Sequence, residues 1–223
     1  SHGAMRSYIT LVRYERNKEI NDVFSSLCDT RIIWGGDATI ADIRKSDLQP
    51  RATEITFADR YSLVMIDSDE YIKNASDEKY RLRVASDFYN DTYLSDQNAC
   101  TSPRVVVWMG NVKEDAKKIF WAELHKIVKE KYNFQQIQGI DKMSLEYIAA
   151  VSYQSKLKEL EKEDNALVRI QVEELHANLM DFRGNSGYFY EYDCDDIMSL
   201  RDFCNNMHCQ TVGILGSSDM VLP

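Results

Sequence analysis

"SDQNACTSPRVVVW", residues 95–108, brings a helix-like run to a cysteine, meets a proline and continues as an unbroken apolar strand. Proline has no N–H for a helix ladder and its ring clashes with the turn before it, so the helix approaching from Lys79 must end ahead of Pro103. "RVVVWM" (104–109) then reads as a strand covered on both faces, because no polar residue alternates within it. Cys100 stands at this junction of helix and strand. Whether it packs or attacks decides the functional reading.

The neighbouring segments set the class. "YITLVRY" (8–14) reads as a strand, and "NKEINDVFSSLC" (17–28) puts Ile20, Val23, Phe24 and Leu27 on one helical face. A short strand, "RIIW" (31–34), runs into a tight Gly35-Gly36 turn, after which Asp37 can cap the helix "ATIADIRKS". "SLVMID" (62–67) is a further apolar strand, closed by the polar stretch "DSDEYIKNASDE". The helix from Lys79 to Ala99 then delivers Cys100. In "VKEDAKKIFWAELHKIVKEKY" (112–132), Ala116, Ile119, Phe120, Leu124, Ile127 and Val128 fall at amphipathic spacing. A helix over 144–163, strands over 166–175 and 187–193, a helix over 194–207 and a strand over 209–216 complete the pattern. Such alternation predicts an α/β sheet domain.

Composition removes several classes of function. At 223 residues and 44% hydrophobic, with three prolines, the chain can bury a substantial core. No apolar run reaches the length that crosses a bilayer. A net charge of −9 offers no general basic footprint for nucleic acid. The five cysteines, at 28, 100, 194, 204 and 209, are odd in number and widely spread, which suits a reducing cytoplasm better than a disulfide framework. Cys204, His208 and Cys209 lack the second ligand pair of a zinc site, so no metal is expected. Ser1-His2-Gly3-Ala4 before Met5 reads as an expression scar, without the basic and apolar regions of a signal peptide.

A thiolate is both nucleophile and leaving group, so cysteine suits exchange with a thioester, where one S-acyl bond replaces another. Hydride delivered to the acyl carbon gives a thiohemiacetal, whose collapse releases an aldehyde and returns the thiolate. The Gly35-Gly36 turn can present backbone N–H groups to a phosphate, although it lacks G-x-G-x-x-G spacing.

The order "IIWGGDATIADIR", "ADRYSLVMID", "DQNACTSPRVVVW" and "CQTVGILG" resembles the acyl-CoA reductase family known from bacterial bioluminescence, a branch of the aldehyde dehydrogenase superfamily. The resemblance spans most of residues 8–216, and "QNACTSP" is its most specific part. It implies an aldehyde dehydrogenase-like catalytic domain over 51–223, a remnant of the dinucleotide-binding domain over 5–50, and a chain cut short at both ends relative to a full reductase. It makes Cys100 the acyl-accepting nucleophile and Gly35, Gly36 and Asp37 cofactor-side residues. Glu54, in "RATEITFADRYS", is similar in order to the glutamate that activates water in hydrolytic relatives. "FRGNSGYFYEYD" (182–193) falls where aldehyde dehydrogenases have a glutamate-phenylalanine-glycine segment that holds the nicotinamide ribose, and that glutamate is not recognisable here. The implied cofactor is NADPH, the implied substrate a fatty acyl-CoA or acyl-protein thioester. Acyltransferase or synthetase subunits and a homo-oligomer are the implied partners.

Two other readings stay open. A non-catalytic interaction domain would keep the fold without binding cofactor, and a cysteine hydrolase would pair Cys100 with His125, His176 or His208. Each histidine also reads as an ordinary structural residue. The tyrosines at 188, 190 and 192 alternate as residues of one sheet face do.

Overall fold

The structure is a computed structural model that describes residues 3–152, 157–205 and 208–217. The chain divides into two compact units, Ser1–Asp59 and Arg60–Pro223.

In the first unit, a 3-10 turn over Gly3–Tyr8 precedes α1 (Lys18–Leu27), β1 (Thr30–Trp34), α2 (Asp37–Ile43) and β2 (Thr53–Phe57). Asn17 starts α1 by accepting the Ile20 N–H at 3.2 Å. β1 and β2 pair in parallel, from Thr30 opposite Thr53 to Trp34 opposite Phe57. The strand expected over 8–14 is not formed. A strand exists only through its ladder, and the two strands of this unit pair with each other, leaving Ile9, Leu11 and Val12 exposed.

The second unit is built on a six-stranded sheet. Its elements are β3 (Tyr61–Asp67), α3 (Ser68–Asn74), α4 (Glu78–Thr92), β4 (Pro103–Met109), α5 (Lys113–Lys131), α6 (Gln136–Ser152), β5 (Leu157–Asp164), β6 (Leu167–Val172), β7 (Tyr188–Asp193), α7 (Arg201–Cys204) and β8 (Cys209–Leu215). The strand order is β5-β6-β7-β4-β3-β8, parallel throughout except that β5 runs antiparallel to β6. The α/β class read from the sequence is the class observed.

The apolar runs of β3 and β4 lie at the middle of this sheet because both of their faces are covered. Val106 and Trp108 meet Phe88, Phe120 and Trp121 on one side, with the Trp108 and Phe120 rings 5.6 Å apart. Val105 and Val107 meet Tyr190, Leu200 and Phe203 on the other. An ion pair is buried in the first layer. Glu191 accepts the indole N–H groups of Trp108 at 2.8 Å and Trp121 at 2.6 Å, and Arg169 donates to its second oxygen at 3.3 Å. Burial pushes the Glu191 carboxyl up, and the Arg169 guanidinium opposes the rise.

Three further expectations are corrected. The helix expected to run to Ala99 stops at Thr92, whose hydroxyl donates to the Phe88 carbonyl at 2.6 Å. A 3-10 turn follows over Tyr93–Ser95, then Asp96 and Gln97 with φ of 50° and 60°. Left-handed residues cannot continue a helix. The helix expected over 144–163 divides into α6 and the strand β5, with 153–156 outside the described residues. Pairing with β6 overrides the helical preference of Leu, Lys and Glu there. Of the helix expected over 194–207, whose last two residues lie outside the described residues, there remain a 3-10 turn at Ile197–Leu200, capped by Asp196, and the single turn of α7. The structure also adds β2, and α3 within the polar stretch, which Asp67 caps by accepting the N–H groups of Asp69 and Glu70.

Candidate active site

Cys100 lies at the tip of a turn that the rest of the sequence motif holds rigid. The turn closes where the Ser102 N–H donates to the Ala99 carbonyl at 3.0 Å. Cys100 and Thr101 occupy its two central positions, so their amides are not consumed by its closing bond. The Cys100 side chain is exposed, and the Ser62 hydroxyl on β3 donates to its carbonyl at 2.7 Å. Ser102 is fully buried and donates to the Asp91 carbonyl at 2.6 Å. The nucleophile candidate is presented to solvent while the residues on each side of it are fixed.

Gln97 does most of the fixing. Its side chain is buried, and its amide nitrogen donates to the carbonyls of Pro103 and Tyr188, each at 3.0 Å. Its amide oxygen accepts the N–H groups of Gly187 and Tyr188, each at 3.0 Å. One side chain thereby joins the starts of β4 and β7 beneath the cysteine turn. Gly187 must be glycine, since φ is +89° and a Cβ would come within 2.2 Å of the Ala166 carbonyl oxygen. Arg104, also buried, donates to the Gly184 carbonyl and the Asn185 side chain, and Asn185 donates to Asn98 at 2.9 Å. Nothing local in the sequence joins Gln97 to the Gly184–Gly187 segment. The only sequence signal was a polar side chain next to a buried strand, facing a glycine-rich segment ninety residues on.

A cleft of about 360 Å³ opens beside this segment, lined by Asp96, Asn98, Gln138, Lys142, Arg183 and Asn185 among others. Its floor carries a buried amine. The Lys142 Nζ donates to the carbonyls of Asn165, Ser186 and Gly187 at 2.8, 2.5 and 3.2 Å. Burial brings Lys142 down to about 7, and the nearby Lys162 adds to the fall.

Glu54 lies on β2 in the first unit, where it is held by charge. Arg31 donates to one of its oxygens at 2.5 and 2.9 Å, and Arg44 to the other at 2.7 Å. The Arg44 hydrogen bond, with Arg31, holds its carboxyl below the usual range. A carboxylate so stabilised is a weak base. Gly35 and Gly36 form the turn from β1 to α2, and Asp37 is the first residue of that helix.

The residues of this turn decide which part of a nicotinamide cofactor could fit there. Gly36 begins α2 without a side-chain cap, and a Cβ there would meet nothing within 4 Å, so a ligand group has room in front of it. Asp37 adds a negative charge to the first turn, which disfavours a phosphate and favours a hydroxyl or amide donor. Trp34 stacks on Phe57 with ring centres 4.9 Å apart, and both are exposed. These residues fit the sugar or carboxamide of such a cofactor better than its phosphates.

Two of the three candidate histidines are engaged by carboxylates: His125 with Asp164 and His176 with Glu174, each at 2.7 Å. The His208 carbonyl accepts the Tyr61 N–H. No hydrogen bond among the described residues joins Cys100 to an imidazole.

With this geometry in hand, comparison with known proteins gives a consistent answer. The family model described as acyl-CoA reductase (LuxC) matches residues 1–173. The chain belongs to the acyl-CoA reductase (LuxC) family. No curated protein sequence matches it. Among solved structures, the succinic semialdehyde dehydrogenase of Streptococcus pyogenes, solved with NADP+, is similar with a TM-score of 0.61 at 11% identity, covering 92% of this chain and 47% of that one. Aldehyde dehydrogenase 21 of Physcomitrella patens, solved with succinate, gives a TM-score of 0.57 at 15% identity, with 91% and 43% covered. The betaine aldehyde dehydrogenase of Staphylococcus aureus, solved with NAD+, gives 0.55 at 10% identity, with 90% and 42% covered. This LuxC-family chain therefore has the aldehyde dehydrogenase fold and spans less than half the length of these relatives.

Proposed function

We propose that this LuxC-family chain carries the acyl-accepting cysteine of a reductase that converts a fatty acyl-CoA or acyl-protein thioester to the aldehyde with NADPH. The observation that carries the reading is an exposed thiol, Cys100, on a turn whose two flanks are anchored by the buried Gln97 and Ser102. The Cys100 thiolate attacks the thioester carbonyl; a new C–S bond to Cys100 forms, the substrate's own C–S bond breaks, and the CoA or carrier thiol leaves as thiolate. The turn amides of Cys100 and Thr101 are the chain's own candidates to hold the developing oxyanion. When bound, the cofactor supplies the hydride that reduces the acyl carbon. Breaking of the C–S bond to Cys100 then frees the aldehyde and restores the thiolate.

Gly35, Gly36 and Asp37 are assigned to the cofactor side, with Asp37 accepting from a hydroxyl or amide of the cofactor. Glu54 is assigned to the ion pairs with Arg31 and Arg44, because a carboxylate with a lowered pKa makes a poor base and a reductase has no use for activated water. Five unpaired cysteines suit a cytoplasmic setting, and no helix among the described residues is long and apolar enough to cross a membrane. Acyl-activating or acyl-transferring subunits, or a second copy of the chain, are the partners that go with this reading.

The test is intact-protein mass measurement after incubation with a long-chain acyl-CoA, on wild type and Cys100→Ser. One acyl adduct on wild type, absent from Cys100→Ser and discharged by NADPH with release of aldehyde, is the expected result. An adduct that persists in Cys100→Ser removes the assignment of Cys100. No adduct at all, with thiol reagents labelling Cys100 no faster than Cys28, favours the interaction-domain reading.

A further inference from the structure

Left-handed backbone outside glycine is gathered at one place. Among the described residues, the non-glycine positions with positive φ are Asp96 at 50°, Gln97 at 60° and Ser186 at 61°, and Gly187 beside Ser186 has φ of 89°. In this region Cβ crowds the following carbonyl oxygen, so such residues persist only where their surroundings over-determine them. The two left-handed pairs are joined to each other. The Ser186 N–H donates to the Asp96 carbonyl at 2.9 Å, and the Gly187 N–H to the Gln97 amide oxygen at 3.0 Å. Gln97 also holds the Pro103 carbonyl, so the loop 97–103, with Cys100 at its middle, is tied at both ends to this joint.

The groups that close the joint come from α6. Lys142 is buried, and its Nζ donates to the carbonyls of both Ser186, at 2.5 Å, and Gly187, at 3.2 Å, as well as to that of Asn165 at 2.8 Å. Gln138, one turn earlier on the same face, donates to the hydroxyls of Ser186 at 2.9 Å and Tyr132 at 3.0 Å. Tyr132 in turn donates to the Asp96 carboxylate at 2.6 Å. Gln138 thus reaches the two arms through hydroxyls, whereas Lys142 grips the strained peptide itself. That grip does not depend on charge. A neutral amine keeps two N–H groups, and the Gly187 carbonyl, the most distant of the three, also accepts the Val168 N–H at 2.9 Å.

We propose that Lys142 is a positioning residue for Cys100, a role that rests on Cys100 being the acyl acceptor. By gripping the Ser186–Gly187 peptide, it keeps the left-handed joint closed and the Cys100 turn in the pose that meets a thioester carbonyl. Lys142 takes no part in bond making and acts through Gly187 and Gln97. Without the amine, the buried Ser186 carbonyl loses this donor and the Ser186–Gly187 peptide can relax, carrying away the N–H that Gln97 accepts.

Lys142→Ala removes three methylenes and an amine, the size of n-propylamine, from the wall of the cleft of about 360 Å³. The experiment measures single-turnover acylation of Cys100 by a long-chain acyl-CoA in the whole chain, for wild type and Lys142→Ala. The maximal rate in the variant is expected to fall about tenfold to hundredfold, with the half-saturating acyl-CoA concentration little changed. Propylammonium should restore most of the loss, and tetramethylammonium, which has the charge without N–H groups, should not. A folded variant with the wild-type rate, or a loss that propylammonium leaves unrestored, overturns the proposal. Should Lys142→Ala not fold, Lys142→Met keeps the length of the side chain: the same fall in maximal rate supports the role, and a wild-type rate removes it. Amide hydrogen exchange tells a failure of Lys142 from a failure of Cys100. Peptides covering 97–104 should exchange about tenfold faster in the variant while those of α7 do not change, whether or not Cys100 accepts an acyl group. Absence of acylation in wild type removes the role of Cys100, and unchanged exchange over 97–104 removes that of Lys142.

Discussion

The two units solve the burial of apolar surface in opposite ways. In the second, β3 and β4 are covered on both faces, and Trp108 is fully buried between ring neighbours and a carboxylate. In the first, the parallel pair β1 and β2 carries Ile32, Trp34, Ile55 and Phe57 exposed, Trp34 by 82%. Parallel sheets are found with both faces covered, so a bare two-stranded one gains little from its side chains. The lesson is that stability and the cysteine turn belong to the second unit, while the first offers a glycine turn and apolar surface that its own residues leave open. Substitutions can break that contrast or sharpen it.

The largest effect is expected where the second unit buries charge. Glu191→Leu leaves two indole N–H groups without their acceptor and takes a carboxylate partner from Arg169. Removing one member of a buried ion pair costs about 3–5 kcal/mol. A urea denaturation midpoint close to that of wild type would show that the network is not holding this core. Next comes Gln97→Ala, which strands two buried carbonyls and two buried N–H groups at the base of the Cys100 turn. A loss of about 3 kcal/mol is expected from unsatisfied groups. The rate of Cys100 acylation should fall further than in a variant destabilised equally at Glu191. Equal loss in both would make Gln97 a stability residue only.

How much of this was legible in the sequence depends on how far apart the cooperating residues lie. The unbroken apolar runs of β3 and β4 and the amphipathic α5 announce themselves locally, and their order was sufficient for the α/β class. Cys100 was legible as a junction residue because Pro103 forces one. The grip of Gln97 on Gly187 and Tyr188 was not, because a hydrogen bond across ninety residues leaves no periodicity. β5 was read as helix for a related reason: Lys, Glu and Leu favour a helix locally, and only the ladder to β6 makes them a strand. In the first unit, "YITLVRY" alternates no worse than β2 does, yet it finds no partner. Glu54 shows the limit at the site: its place in chain order suggests a base, and nothing local announces that Arg31 of β1 and Arg44 at the end of α2 hold its carboxylate in ion pairs.

A pH experiment probes the second unit without removing its core. Because burial holds Lys142 near 7 in the fold, against about 10.4 in the unfolded chain, the native state sheds this proton earlier. The unfolded state then binds more protons between these values, so the stability assigned to Lys142 rises with pH from about 7 to about 10. Lys142→Met lacks this rise. The Tm of wild type should gain on that of Lys142→Met by about 3 °C or more across the window, after both curves are corrected to their own values at pH 6. A constant gap means that the three carbonyls keep the amine charged throughout.

The smallest expected effect is the sharpest test of the contrast. Trp34→Ser removes the largest apolar side chain of β1, but that side chain is already in water apart from its stack on Phe57. An exposed aromatic contact of this kind is worth about 0.5 kcal/mol, so the denaturation midpoint should barely move. Trp108→Ala, the same residue type within the buried sheet, should cost about 3–5 kcal/mol. If Trp34→Ser proves as damaging as Trp108→Ala, Trp34 is covered in solution, and the open face of β1 and β2 is an interface. Sedimentation velocity on the two variants separates the cases, because loss of an interface changes the mass of the particle and loss of a core contact does not.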